Sequence, residues 1–436
     1  MFLCAPYFKN LIKFFSFTVL LATCSMPSLS DTWLDEANNA VFFNHINAEQ
    51  GLPHPAVNDI VQDPMGFIWI ATQDGLTRYD GKHFKTYNHS PGVESSLANN
   101  WIWDLLIDKE GRLWAASSGG FHLYLPEIDG FKNFNSDKGI NGIDGASYVS
   151  ITEAPNGNIL FASQFSGYTE FDIQTATFST YLNEKPDTEI NNNPISNLIY
   201  DKSGNLWVAS PQNGLRVKFI DSVSFQSLNL KTRPDIPSNK LRTLFVDDDN
   251  LVWVGSEDAG VFVLNQALEI VQHFQFDPND NKSFCANYVS HIMKDNKGNL
   301  WFATENGICK LNRDGKTFTR TLQQTSRNSS LISNRTSALM QDSGGVIWVG
   351  TQSGISRWNA SLNYFPHISK NGQYRGLSSN SIMAFAKDTS GDLYIGTWNG
   401  GVNVLSNQTH NITNILADPQ RTDTLQEDNI MSLLVD

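Results

Sequence analysis

The chain is short of charge. Only 17% of its 436 residues are Asp, Glu, Lys or Arg, while 40% are apolar, so a sizeable core can be buried under a surface made largely of uncharged polar groups. The charge that exists is acidic, a formal net of −13, and no run of Lys and Arg interrupts it. Neither phosphate backbones nor anionic lipid would be attracted, and nucleic acid is excluded as a partner. Cysteine is sparse too: Cys4 and Cys24 lie in the first thirty residues, which leaves Cys285 and Cys309 as at most one pair in the body. That is neither a disulfide scaffold nor a zinc site. The 9 His are scattered without HExxH or other close metal spacing. With no G-x-S-x-G elbow and no Walker loop, the sequence offers no catalytic residue, no metal site and no cofactor. What it has in quantity is aromatic side chains, 27 Phe, 12 Tyr and 11 Trp, which argue against disorder, and 44 Asn with 31 Gly, which is turn chemistry.

The first thirty residues separate from the rest. Lys9 and Lys13 precede an apolar run from Phe14 to Ala22, and small and polar residues follow as far as Ser30. Charged start, short apolar stretch and small-residue exit read as a secretory signal peptide over 1–30. The run is too short to cross roughly 30 Å of hydrocarbon, which takes about 20 residues. LATC at Leu21 to Cys24 resembles a lipoprotein box, with Thr23 where a smaller residue is usual, so lipidation is the lesser alternative to cleavage near Ser30. Either way the mature chain is expected outside the cytoplasm.

One phrase then recurs: DPMGFIWIATQDG at Asp63, DKEGRLWAASSGG at Asp108, DKSGNLWVASPQNG at Asp201, DNKGNLWFATENG at Asp295 and DSGGVIWVGTQSG at Asp342. Weaker copies start at Ala154, Asp247 and Asp388. The anchor residues are Trp69, Trp114, Leu160, Trp207, Trp253, Trp301, Trp348 and Tyr394, spaced 45 to 48 apart. Repetition at such a period marks a propeller or solenoid. Each unit opens on an Asp turn whose fourth position is Gly, or Asn250 in one unit, residues that tolerate a left-handed backbone. An apolar strand carries the anchor, a second turn ends at Gly75, Gly120, Gly167, Gly214, Gly260, Gly307, Gly354 or Gly400, and two more strands follow, the last with an aromatic pair such as FKTY at Phe84. An apolar strand precedes each Asp, and helical periodicity is missing throughout the body. Four short strands per 46 residues describe a β-propeller blade.

Eight units and the opening of a ninth at Asn429 exceed the usual single ring. The expected architecture is all-β: a signal peptide over 1–30, a seven-bladed β-propeller over 41–367, and over 368–436 the first blade and part of the next blade of a second propeller, with the parent protein continuing beyond. The segment Val41 to Ile46 matches a fourth strand without the three before it. It is expected to pair with a distant blade and close the ring.

The stretch from Gly51 to Tyr87, with SLANN at Ser96 and DKEGRLW at Asp108, resembles the two-component regulator propeller family, and the resemblance extends over roughly 41–436. Two units depart from the pattern: Ala154 and Leu160 replace Asp and Trp in the third, and Tyr394 replaces Trp in the eighth. The resemblance implies the sensory ectodomain of a bacterial transmembrane receptor, on the periplasmic face of the inner membrane. It would be followed by an immunoglobulin-like domain, a membrane helix and a histidine kinase, hybrid or diguanylate cyclase output. It further implies a dimer in the intact receptor, a missing C-terminal half of the ectodomain as partner, and polysaccharide fragments as ligands of some members.

A ligand site has to be asymmetric while the scaffold is not, so candidates lie where the repeat varies. Thirteen positions before the anchor, at the entry to the inner strand, the units carry Ala56, Trp101, Ser147, Pro194, Lys240, Tyr288, Arg335 and Ser381. Of these Trp101, Lys240, Tyr288 and Arg335 stand out. Trp103 and Arg242, two positions along, share their face. The recurring Asn before them, as at Asn100, Asn239 and Asn334, reads as a turn cap. Turn tips on the same rim add Asp74, Phe165, Glu257, Asp258 and Trp398. Such a rim suits an oligosaccharide or another periplasmic ligand. The alternative is an exported propeller enzyme, a lyase or glycosidase, which needs an acid and a base clustered in the channel. The recurring Asp and Trp themselves read as turn and packing residues.

Overall fold

A computed structural model describes residues 43–134, 147–165, 167–181, 194–324, 329–359, 370, 376–409, 411–421 and 423–435. The expected signal peptide, and Val41, Phe42 and Asp436 of the expected strands, lie outside the described residues. The chain divides into two compact units, Ala40–Phe365 and one containing Pro366–Asp436. Strands form eight four-stranded antiparallel sheets, and the helical content among the described residues is one turn, Ala48–Gln50.

The first and second strands of each sheet are joined by the recurring turn, which opens on Asp in all but the third sheet. In the first, Asp63 Oδ1 accepts from the amides of Met65 and Phe67, both at 3.0 Å, and Oδ2 accepts from Trp69 Nε1 at 2.8 Å. The same indole bond joins Asp108 to Trp114, Asp201 to Trp207, Asp247 to Trp253, Asp295 to Trp301 and Asp342 to Trp348, at 2.8–2.9 Å. One carboxylate thus shapes the turn and satisfies a buried N–H. The fourth turn position is left-handed as the composition demands, with φ 91° at Gly66 and 60° at Asn250.

The second turn is held across sheets. Thr72 Oγ1 donates to Gly75 O at 2.8 Å, and Gly75 N donates to Asn100 O, which already belongs to the next sheet, at 2.7 Å. Gly75 has φ 105°, and a Cβ there would meet Tyr87 O at 2.7 Å, so only glycine fits. Asn100 Oδ1 also accepts from His89 N at 2.6 Å. Asn239, Asn287 and Asn334 repeat both contacts onto Gly214, Gly260 and Gly307 and onto Leu230, Phe276 and Gln323. The recurring Asn is therefore a latch between consecutive sheets, where the sequence suggested a local cap. In the eighth sheet this turn is one residue longer than the pattern implied, and Gly401, not Gly400, takes the left-handed position at φ 62°.

In the unit Ala40–Phe365 the second strand of every sheet is buried along its anchor stretch, as in Ile68–Thr72 and Leu206–Ser210, because neighbouring sheets cover both faces. Seven core clusters fill seven seams. Trp69 packs with Ile102 and Leu105, Trp114 with Tyr148 and Ile151, Leu160 with Ile195 and Leu198, and so on round to Trp348 with Ile60 and Ile70. Seven sheets with seven seams make a closed ring. The seventh sheet consists of Thr336–Gln341, Val346–Thr351 and Gly354–Asn359, and its fourth strand is Asn44–Ile46, which pairs His45 with Ser356 and Ile46 with Ile355. The first described strand thus closes the ring on the seventh sheet. Ile46 and Phe43 are buried there.

The eighth sheet, Ile382–Lys387, Leu393–Thr397, Val402–Leu405 and Ile412–Ile415, belongs to the other unit. Asp428 takes the latch position onto Gly401, and Ile430 N donates to Thr397 O at 3.1 Å, but 429–435 forms no strand. Its anchor Tyr394 is half-buried, and Met383, Phe385 and Met431 are exposed.

Two outcomes are expected. Ile46→Ala costs about 2–4 kcal/mol in denaturant unfolding, and deleting 41–46 lowers the melting temperature further; an unchanged melting temperature in the deletion would remove the closing strand as a source of stability. A double-mutant cycle on Asp201→Ala and Trp207→Phe returns a coupling of about 1–3 kcal/mol, whereas additive losses would show that the indole bond is not what links them.

Candidate functional site

Eleven positions before the anchors, the inner strands of the ring carry Asn58, Trp103, Val149, Ser196, Arg242, Ser290 and Ser337. Four of these donate to the inner strand of the next sheet. Asn58 Nδ2 reaches Ile102 O at 2.6 Å, Ser196 Oγ reaches Leu241 O at 2.7 Å, Ser290 Oγ reaches Thr336 O at 2.8 Å, and Ser337 Oγ reaches Val57 O across the closing seam. The following residue accepts in the same direction. Asp59 Oδ2 takes Leu105 N at 3.0 Å, Asp104 Oδ2 takes Ile151 N at 2.7 Å, Asn197 Oδ1 takes Leu244 N at 3.0 Å and His291 Nδ1 takes Leu339 N at 3.0 Å. The result is a girdle of hydrogen bonds around the inner face of the ring.

Two adjacent residues serve one face because the strand bulges there. Val57 pairs with Thr72 but Asp59 pairs with Ala71, leaving Asn58 between them, and the same shift occurs at Trp103, Arg242, Ser290 and Ser337. A strict alternation of faces, as assumed from the sequence, hides Asp59, Asp104 and His291. Their signal was present only as polar residues recurring beside an apolar strand.

Inside the girdle lies a cavity of about 830 Å³. Of the residues singled out in the sequence, Trp101, Trp103, Phe165, Arg242, Tyr288 and Arg335 line it. Trp103 is fixed, its Nε1 donating to Ser118 Oγ at 2.9 Å and to Ser147 Oγ at 3.1 Å. Trp101 stacks on it at 5.1 Å and 26°, and remains 37% exposed. Arg242 lies over the Tyr288 ring at 5.7 Å. The second and third sheets thus supply an aromatic arc and the fifth to seventh a basic one.

The remaining candidates go elsewhere. Lys240 and Asp258 pair at 3.3 Å and line a separate recess of about 630 Å³. Asp74 accepts from Asn100 Nδ2 at 2.9 Å and so serves the latch. Glu257 lies 3.9 Å from Arg242 without lining the cavity. Trp398 belongs to the eighth sheet, in the other unit, and is not among the lining residues. At the turns the residue directly after the buried Thr or Ser faces inward, namely Gln73, Gln164, Glu305 and Gln352, one position earlier than Asp74 suggested, and in the third sheet Phe165 lines the cavity beside Gln164. The hydroxyl captures the next turn amide, as Thr72 Oγ1 does from Asp74 N at 3.1 Å, and turns the tip away.

Asp59, Asp104 and His291 also line the cavity. Burial raises Asp59, and burial with the neighbouring charge of Asp59 raises Asp104 well above the ordinary carboxylate range. The two carboxyls are neighbours, and the charge of Asp59 disfavours ionisation of Asp104. His291 is held below its ordinary range by burial. Its Nδ1 accepts from Leu339, so its hydrogen sits on Nε2. The trio has the composition of an acid–base cluster, yet each member holds the backbone of the next sheet. Among the described residues no group of three His, Cys, Asp or Glu side chains is arranged to hold a metal ion.

The repeat model of the family described as two component regulator propeller matches residues 51–74, 96–119, 189–212, 283–306, 330–353 and 376–399, each running from the latch segment through the anchor strand. A curated relative, histidine kinase P4 of Formosa agariphila, is 26% identical over 296 residues, covering 66% of this chain and 21% of that protein. The extracellular domain of the hybrid two component system BT3049 from B. thetaiotaomicron superposes with a TM-score of 0.67 at 23% identity, over 91% of this chain and 51% of that one. Virginiamycin B lyase from Staphylococcus aureus superposes at 0.54 and 14% identity, over 73% and 99%. The chain therefore spans about half of the first solved relative and about a fifth of the curated one. At these identities the structural likenesses establish the propeller fold.

A pH effect follows from the carboxyl pair. Both folded values lie above the unfolded 3.8, so the folded chain holds more protons than the unfolded one, and this pair's contribution to stability falls as pH rises through the folded values. Asp104→Asn keeps an acceptor for Ile151 without the charge. It is expected to gain stability over the native chain progressively as pH rises above the ordinary Asp value in denaturant melts; a difference that does not change with pH would show that the pair is not the linked group.

Proposed function

We infer, for a chain whose six matched segments are two-component regulator propeller repeats, that it is the extracytoplasmic ligand-sensing region of a bacterial transmembrane receptor. The output is a histidine kinase or hybrid regulator, with a diguanylate cyclase as the second choice, and the ligand is an oligosaccharide bound in the ring. The signal-peptide reading of residues 1–30 supports export, and the histidine kinase relative supports the output. The observation that carries the binding role is the cavity. A scaffold built of repeats encloses a lining that is not repeated, aromatic on one arc and basic on the other, with amide side chains Gln73, Gln164 and Gln352 among them. Aromatic faces with a few directed polar groups are what a sugar requires.

The specific feature that would favour an enzyme, the cluster of Asp59, Asp104 and His291, is committed to backbone amides at 2.7–3.0 Å. The lyase likeness is one of fold and brings no activity with it.

The test is a thermal-shift and calorimetry screen of the exported chain against oligosaccharides. A binding glycan raises the melting temperature, and Trp101→Ala weakens binding on the order of tenfold to a hundredfold with little change in the unliganded melting temperature. Cleavage or elimination of a glycan, or no response to any, overturns the reading.

A further inference from the structure

The chemical class of the ligand can be taken one step further, on the premise that the ring cavity is the sensing site. The girdle separates structural positions from free ones. At the position eleven before the anchor, four sheets use a small polar donor to hold their neighbour: Asn58, Ser196, Ser290 and Ser337. The fifth sheet carries Arg242 in that place. A guanidinium there is not the scaffold's own requirement, since a serine meets it elsewhere.

Arg242 is 40% exposed on its side chain and its acidic neighbour Glu257 stands at 3.9 Å, the outer limit of an ion pair. At that distance and exposure the pairing is weak, and the planar fork of donors is left for another partner. Arg335, two sheets on, is exposed at the cavity, and among the described residues no ion pair engages it. Tyr288 of the intervening sheet lies under Arg242 at 5.7 Å. Against these two cations the cavity sets Glu305, Asp59 and Asp104. The two aspartates are occupied by the amides of Leu105 and Ile151, so they offer an incoming cation little. In a chain of net charge −13, this arc presents two guanidinium forks whose donors no close ion pair takes up. An Arg fork matches carboxylate and sulfate oxygens in pairs.

We propose that the ligand is an acidic saccharide, its carboxylate or sulfate group taken by Arg242 and Arg335 while a sugar face rests on the exposed side of Trp101. Carboxylate and sulfate present the same chemistry to this arc, and the probes separate them.

The experiment titrates the native chain by calorimetry with three sets of probes: uronic acid oligomers, the same oligomers after carboxyl reduction to neutral sugars, and sulfated galactose oligomers. Each is repeated with the Arg242→Gln/Arg335→Gln double variant and with Trp101→Ala, and unliganded melting temperatures confirm that the variants are folded. Tighter binding of the uronate set than of its reduced counterpart by tenfold or more, weakened at least thirtyfold in the double variant and falling with added salt, supports the proposal and assigns a carboxylate. The same behaviour in the sulfated set assigns a sulfate. Equal affinity for the uronate and reduced sets, or acidic binding untouched in the double variant, overturns it. Neutral binding that Trp101→Ala abolishes overturns this inference while leaving the sensing role standing; no binding of any set overturns both.

Discussion

Everything in the ring is arranged around one hydrogen bond, from the Trp indole to the Asp six residues before it. The indole fills the seam between sheets and cannot be reached by water, and a buried N–H left unmet costs about 1–3 kcal/mol. The Asp that meets it has its other oxygen on two turn amides, so a single carboxylate sets the direction of the strand and the position of the ring that packs on the next sheet. The third unit shows how strict the coupling is. Ala154 and Leu160 replace both partners together, and the seam there is closed by Leu160 with Ile195 and Leu198. Losing either partner alone would strand a carboxylate or an indole. In the eighth unit Tyr394 reaches Asp388 through its hydroxyl at 3.4 Å, a longer and more exposed version of the same link.

Because every seam makes the same demands, residues with a structural role recur, and those without one are free to vary. This divides the inner face without any appeal to a ligand. Asn58, Ser196, Ser290 and Ser337 are interchangeable donors, whereas Trp103, Val149 and Arg242 at the same address are not interchangeable with them or with each other. Asymmetry on a repeated frame is informative because the frame tells what each position would be if nothing else were asked of it. The same reasoning removes Asp74 from the site, since its carboxylate completes the latch with Asn100.

The parts of the fold that repetition writes were legible in the sequence: the anchors, the turn glycines, the number of sheets and the strand near Ile46 that has no blade of its own. What was not legible depends on register or on a partner in another sheet. A β-bulge cannot be read from alternation, so Asp59, Asp104 and His291 were passed over while Trp103 and Arg242, on the assumed face, were found. An extra residue in one turn moved the left-handed position from Gly400 to Gly401. The recurring Asn looked local because its type suits a cap, yet its partners, Gly75 and His89 in the case of Asn100, belong to the preceding sheet.

The single pair of body cysteines fits the same logic. In the seventh and eighth sheets the segment entering the inner strand is tied to the third strand by a hydrogen bond, from Ile332 N to Ser356 Oγ at 3.0 Å and from Ser378 N to Asn403 Oδ1 at 2.8 Å. Cys285 and Cys309 occupy those two positions in the sixth sheet, and there the tie is a disulfide with Cα atoms 5.9 Å apart. In the second sheet the corresponding His122 works through Asn133, which donates to Glu94 O and Ser96 O. The tether is therefore a general requirement met by different chemistry, and an oxidising compartment is where a covalent version persists. Three residues beyond Cys285 is Tyr288, the ring on which Arg242 lies. Trp101 and Arg335 stand at the equivalent place in the second and seventh sheets and line the cavity over hydrogen-bonded ties; the covalent tie of the sixth sheet is thus a stiffer form of the same anchor, holding the backbone from which Tyr288 projects.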